Sequence, residues 1–218
     1  MIMESKGMNN SKSLEKSSLA TPDLIYDFLC SARVFARAVR DVIEADILRE
    51  VAGDKLTMPH LKLLYLVAQT DSVTIGDAAT FLGVSSPAAS KTVEKLVRRR
   101  LLRRADIRSD RRSSELSLTE LGRRMLEAYE AARNQKATEI FSQYMPEVLR
   151  ETAEVLDHLA SGIASQRVGA KEGDTCLQCE IYFRKGCRFG RFGNCNCYYV
   201  RHRKEEKRNS DTKLIPVK

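Results

Sequence analysis

Between residues 22 and 165 the apolar positions fall mostly at helical spacing. Leu24, Phe28, Ala32, Phe35, Val39, Val42 or Ile43, and Ile47 line one face of a long amphipathic helix. Thr21-Pro22 opens it as a cap followed by proline at the first helical position, and it closes near Gly53. Thr57 and Pro59 repeat the start signal, and Leu61, Leu64, Val67 and Ala68 predict a second helix. Thr74 and Asp77 make a capping-box-like pair ahead of a short third helix. Its inward residues are Ile75, Ala78, Ala79 and Leu82, and Gly83 supplies the turn that follows. Ser85-Ser86-Pro87 opens a fourth helix whose buried stripe is Ala89, Val93, Leu96 and Val97.

The period then changes. Leu101 to Ile107 and Ser113 to Leu118 hold β-favouring residues around a charged tip, Arg108 to Arg112, and predict two strands joined by an exposed loop. From Thr119 a long helix carries Leu121, Met125, Leu126, Tyr129, Ile140, Phe141 and Tyr144 as far as Pro146. A sixth carries Val148, Leu149, Val155, Leu156, Leu159 and Ile163. The expected organisation is a flexible tail (1–20), a first helix (21–53), a helix-turn-helix with a β-wing (54–118), two further long helices (119–165), a cysteine-rich segment (166–200) and a basic tail (201–218). The fold class is mainly α with a small β-wing.

That pattern leaves one face of the fourth helix free. Ser85, Ser86, Pro87, Ala88 and Ser90 are small and sit at its start, and Lys91, Lys95 and Arg98 follow. A short helix, a glycine turn and a second helix with a small, basic outer face allow close approach to the major groove of duplex DNA. Arg108, Arg111 and Arg112 on the hairpin extend the interface to a minor groove or its flanking phosphates, with Asp110 orienting the guanidinium groups.

Charge sharpens this expectation. The chain of 218 residues carries 37 Lys and Arg against 29 Asp and Glu, a net charge of +8. Ten basic residues against three acids lie between Lys91 and Arg112, which favours a polyanionic partner. No run approaches the roughly 18 consecutive apolar residues of a membrane span, and the amino terminus has no secretory pattern, so a cytoplasmic protein is expected. No glycine-rich nucleotide loop and no Ser/His/Asp or Cys/His constellation points to an enzyme.

Residues 82–122, LGVSSPAASKTVEKLVRRRLLRRADIRSDRRSSELSLTELG, combine helix start, recognition helix, strand, Asp110-Arg111-Arg112 and Leu-x-Leu-Thr-x-x-Gly. This text resembles the multiple-antibiotic-resistance regulator (MarR) family, and the six-helix order extends the likeness over about residues 22–165. The resemblance implies a homodimer whose first and last two helices interlock, a pseudo-palindromic operator and a possible small-molecule effector. The apolar surface of the three long helices argues independently for a partner subunit. Two features depart from the family: the density of Arg98-Arg99-Arg100, and everything after about residue 170.

Five of the six cysteines lie in that extension, as Cys176-x2-Cys179-x7-Cys187-x7-Cys195-x-Cys197. In a reducing cytosol, four of these five form a thiolate set for a metal or cluster. Zinc favours the close pairs Cys176/Cys179 and Cys195/Cys197. An iron–sulfur cluster accepts the even spacing of Cys176, Cys179, Cys187 and Cys195, and is the preferred expectation. Tyr182, Phe183, Phe189, Phe192, Tyr198 and Tyr199 surround these positions and supply a shield. Cys30 reads as a buried inert thiol on the first helix, although the family resemblance raises a peroxide-sensing role. His60, His158 and His202 form no ligand-spaced set.

Overall fold

A computed structural model describes residues 20–70, 73–107, 110–166 and the short stretches 175–176, 181–182 and 196–197. The chain divides into two compact units, residues 1–40 and 41–218.

The first unit contains helix α1 (Pro22–Ala38), capped as its sequence predicts: the Leu24 N–H donates to Thr21 Oγ1 at 3.3 Å. No residue of α1 is buried, and Leu24, Ile25, Phe28, Leu29, Val34 and Phe35 are all exposed. Cys30 is exposed as well. The expectation of a buried thiol is therefore incorrect for the single chain, because an apolar stripe buries its members only where another element lies against it.

Helical residues continue from α1 through a π-helical segment (Val39–Asp46) into α2 (Ile47–Ala52). The sequence pattern predicts a single α-helix over this span. The observed backbone instead widens over these eight residues. It also settles the choice left open by the sequence, since Ile43 is buried and Val42 exposed.

Helix α3 (Met58–Gln69) is the centre of the core, with Leu61, Leu63, Leu64, Leu66 and Val67 at most 2% exposed. Burial on all sides explains why its amphipathic signal is weak in sequence. Helix α4 (Ile75–Leu82) begins at the Thr74/Asp77 capping box and ends at Gly83, whose φ of 64° is left-handed. Its buried face includes Phe81 beside Ala78 and Ala79, while Ile75 and Leu82 are half-buried. Helix α5 (Ser86–Arg98) packs on α4 through Ala89, Val93 and Leu96.

Strands β1 (Leu102–Ile107) and β2 (Asp110–Leu118) form an antiparallel hairpin in which Leu102 faces Leu118 and Arg103 faces Ser117. A backbone bridge from Leu116 N–H to Val73 O, 2.8 Å, ties the hairpin to the residues before α4. Helix α6 (Glu120–Phe141) packs on α2 and α3, and α7 (Pro146–Ser165) follows a short turn. Finally β3 (Thr175–Cys176) and β4 (Asn196–Cys197) pair in parallel. The arrangement is mainly helical with a small antiparallel wing, as expected.

Candidate nucleic-acid interface

Burying one stripe of α5 determines what the opposite side presents. Ser85, Ser86, Pro87 and Ala88 are exposed, Ser90 is half-buried and Lys91 is exposed. Arg98 is exposed on the last turn, and Lys95 is half-buried. A helix start bearing only small side chains lets a phosphate or base edge approach the first backbone N–H groups, which lack intrahelical partners. The cations then sit further along the same helix. Glu94 is the one acid on α5 and is also exposed.

Lys95 and Arg99 have a second neighbour. Both lie near enough to His60, at the start of α3, to disfavour its protonated form. Burial is the larger cause, and together these hold the imidazole pKa down to about 4. His60 Nδ1 accepts from the Thr57 N–H at 3.1 Å and lies 2.6 Å from Thr57 Oγ1. The ring thus serves as the third-residue partner of a capping box, the place usually taken by Glu or Gln. Ligand spacing assigns His60 no role. The signal that does is its position three residues after Thr57.

The hairpin differs from its predicted form. Asp110, Arg111 and Arg112 belong to β2 rather than to a loop, with Asp110 paired to Ile107 across a register shift. Residues 108–109 separate the strands and lie outside the described residues, Arg108 among them. The register passes from Asp106 opposite Ser114 to Ile107 opposite Asp110, so Arg111, Arg112 and Ser113 fall in the irregularity between the two pairings. Arg103 and Arg104 on β1 are exposed, and the Arg103 Nε–H donates to Ser117 Oγ at 2.7 Å.

Of the cysteine set, the described residues include Cys176 and Cys197. They are Cα partners on β3 and β4, so the first and last of the five are brought side by side. Cys179, Cys187 and Cys195 lie outside the described residues. Within the same segment, Ile181 joins the main hydrophobic core at 4% exposure. Tyr182 lies against Arg133 of α6, with the guanidinium carbon 5.3 Å from its ring centroid. The local sequence does not mark Ile181 as a core residue, and Tyr182 itself remains 40% exposed.

A cleft of about 340 Å³ lies between the π-helical segment, α2 and α3. Ala45, Leu48, Leu56 and Met58 give it apolar walls, and Arg49, Asp54 and Thr57 add polar groups. Among the described residues, no helix is long and apolar enough to cross a membrane.

Residues 54–113 match the MarR family. No curated protein matches the chain. Among solved structures, RV1404 from Mycobacterium tuberculosis is 23% identical, with 72% of this chain and 99% of that one covered at a TM-score of 0.55. MepR, a transcription regulator of the Staphylococcus aureus multidrug efflux pump MepA, is 22% identical over 63% of this chain and 98% of its own, at 0.52. Sco3205, a MarR family transcriptional regulator from Streptomyces coelicolor solved in complex with DNA, is 20% identical over 66% and 93%, at 0.50. At these identities the likeness is one of fold.

Proposed function

We propose that this chain, whose residues 54–113 match the MarR family, is a sequence-specific DNA-binding transcriptional regulator acting as a homodimer. The observation that carries the reading is the free face of α5, where exposed Ser85, Ser86, Pro87 and Ala88 precede exposed Lys91 and Arg98. Helix α5 enters the major groove, and β1 and β2 bring Arg111 and Arg112 to the flanking backbone. Sco3205, which shares the fold, has been seen bound to DNA.

A second copy covers the apolar faces left open. Leu24, Ile25, Phe28 and Phe35 are exposed on α1, and Val148, Leu149, Val155, Leu156 and Ile163 on α7. A monomer does not keep so many large apolar groups in water. Two-fold symmetry of the pair matches a pseudo-palindromic operator, on which the protein acts as a repressor.

The cysteine-rich extension holds an iron–sulfur cluster that modulates operator affinity. Pairing of Cys176 with Cys197 supports a compact thiolate set, because it closes a segment of 22 residues on itself. Four of Cys176, Cys179, Cys187, Cys195 and Cys197 hold the group, which supplies redox, iron or oxygen sensitivity when bound. Anaerobic purification followed by iron, sulfide and zinc analysis tests this. Broad absorption on the order of 400 nm with stoichiometric iron and sulfide is expected, and a colourless zinc protein overturns it.

The cleft bounded by Leu48, Leu56 and Met58 favours a second reading, a regulator responsive to a small apolar effector in which the cysteines hold structural zinc. A colourless protein whose DNA affinity changes with such a ligand selects it.

A further inference from the structure

The Arg133 guanidinium carbon is 5.3 Å from the Tyr182 ring centroid and 5.8 Å from that of Tyr129. The cation therefore lies against two aromatic rings, one from the body of the protein and one from the cysteine-rich segment. The Tyr129 hydroxyl donates to the Glu44 backbone carbonyl at 3.5 Å. Glu44 belongs to the π-helical segment. Ile181, beside Tyr182, is buried in the same core as Leu48, Leu61 and Tyr129.

Tyr129 thereby links the Arg133 site to the π-helical segment. A π turn is a less stable backbone form than an α turn and is a common site of local rearrangement. From Tyr129 the packing continues to Tyr65 of α3, whose ring meets it edge-on at 6.3 Å between centroids. Helix α3 in turn touches α5. The extension is thus fastened at a point that adjoins both the π-helical segment and the support of the DNA-binding helix.

We propose that Ile181 and Tyr182 are the anchor through which the cysteine-rich segment acts on the rest of the protein, with Arg133 and the core around Tyr129 as its receiving groups. Tyr182 lies between Cys179 and Cys187 in sequence. A change in the thiolate set acts on the anchor from sequence positions on either side of it and alters its hold on Arg133. This coupling rests on the cysteines being ligands; the anchorage itself does not.

Hydrogen–deuterium exchange in the full-length protein tests both parts, read in peptides covering residues 41–48 and 126–136. Tyr182→Ala is expected to raise exchange there by roughly five- to thirtyfold, and Tyr182→Phe, which keeps the ring and removes the hydroxyl, by less. Exchange equal to that of the unsubstituted protein overturns the anchor. Should Tyr182→Ala fail to fold, Tyr182→Phe and Arg133→Gln carry the comparison. Removing the metal from the unsubstituted protein is expected to raise exchange in the same peptides, and to change nothing in Tyr182→Ala. Metal-independent exchange in a protein shown to release its metal overturns the coupling. A protein that binds no metal defeats the cofactor reading instead, and the metal-free comparison of variants still decides the anchor.

Discussion

Gly122, in the first turn of α6, lies so close to the Leu101 carbonyl group that a side-chain carbon there would stand 3.1 Å from the Leu101 carbonyl carbon and closer still to its oxygen. Leu118 Cδ2 would be 3.0 Å away on the other side. Thr119 holds this junction together: its N–H donates to Leu101 O at 3.1 Å, its hydroxyl donates to Arg100 O, and its Oγ1 accepts from the Gly122 N–H at 3.0 Å. The Leu-Thr-x-x-Gly motif is thereby the joint between the hairpin and α6.

Gly122→Ala should destabilise the protein by about 1–3 kcal/mol, because the obstructing atoms are backbone and cannot rotate away. At an ordinary helical position the same change stabilises by about 1 kcal/mol, so the sign alone is informative. Urea denaturation checks it, and a variant as stable as the parent contradicts the packing.

Arg100 has a φ of 58°, the only left-handed residue other than glycine among those described. Its N–H donates to Val97 O at 2.8 Å and its carbonyl accepts from Thr119, so the conformation is held from both sides. Arg100→Gly should be more stable than Arg100→Ala by about 1 kcal/mol, since alanine retains the steric penalty that glycine escapes. Equal unfolding midpoints for the two variants would contradict this.

His60 makes stability depend on pH. Its folded-state pKa of about 4 lies below the usual 6.5, so the unfolded chain takes up the proton first. Stability is fully present above pH 6.5 and declines as pH falls toward 4, by up to about 3 kcal/mol. Protonation also removes the Nδ1 lone pair that accepts from Thr57. His60→Gln should flatten this decline while keeping the cap, as measured by urea midpoints at pH 7 and pH 4.5.

Arg111→Ala and Arg112→Ala should each weaken binding to a mixed-sequence duplex. Each should also reduce the slope of log affinity against log salt by about 0.9 for every phosphate that the variant no longer neutralises. Fluorescence anisotropy at several salt concentrations yields the slope. An unchanged slope in both variants removes the wing from the interface.

Much of this was legible from local chemistry. Thr21-Pro22, Thr74 with Asp77, Gly83 and the α5 stripe of Ala89, Val93 and Leu96 appear in the structure where the sequence placed them. Each is determined within one or two helical turns, the range over which capping and amphipathic spacing act. The cysteine spacing and the Arg-rich stretch were legible for the same reason, being properties of consecutive residues.

What local pattern could not determine depends on what lies opposite. Cys30 sits on a face that is apolar by spacing yet exposed, because spacing alone does not place a second element against α1. Ile43 rather than Val42 turns inward, within a segment whose backbone is π-helical. His60 acquires its low pKa from burial and from Lys95 and Arg99, more than thirty residues away. Tyr182 meets Arg133 only after the chain has folded back on itself. The sequence by itself determined the order of the helices and the wing and the start signals of α1, α3 and α4, since those follow from neighbouring side chains. Tertiary structure alone decided which apolar faces are covered, which polar groups are desolvated and where the extension is fastened. Burial and electrostatic environment are properties of contacts between segments distant in the chain.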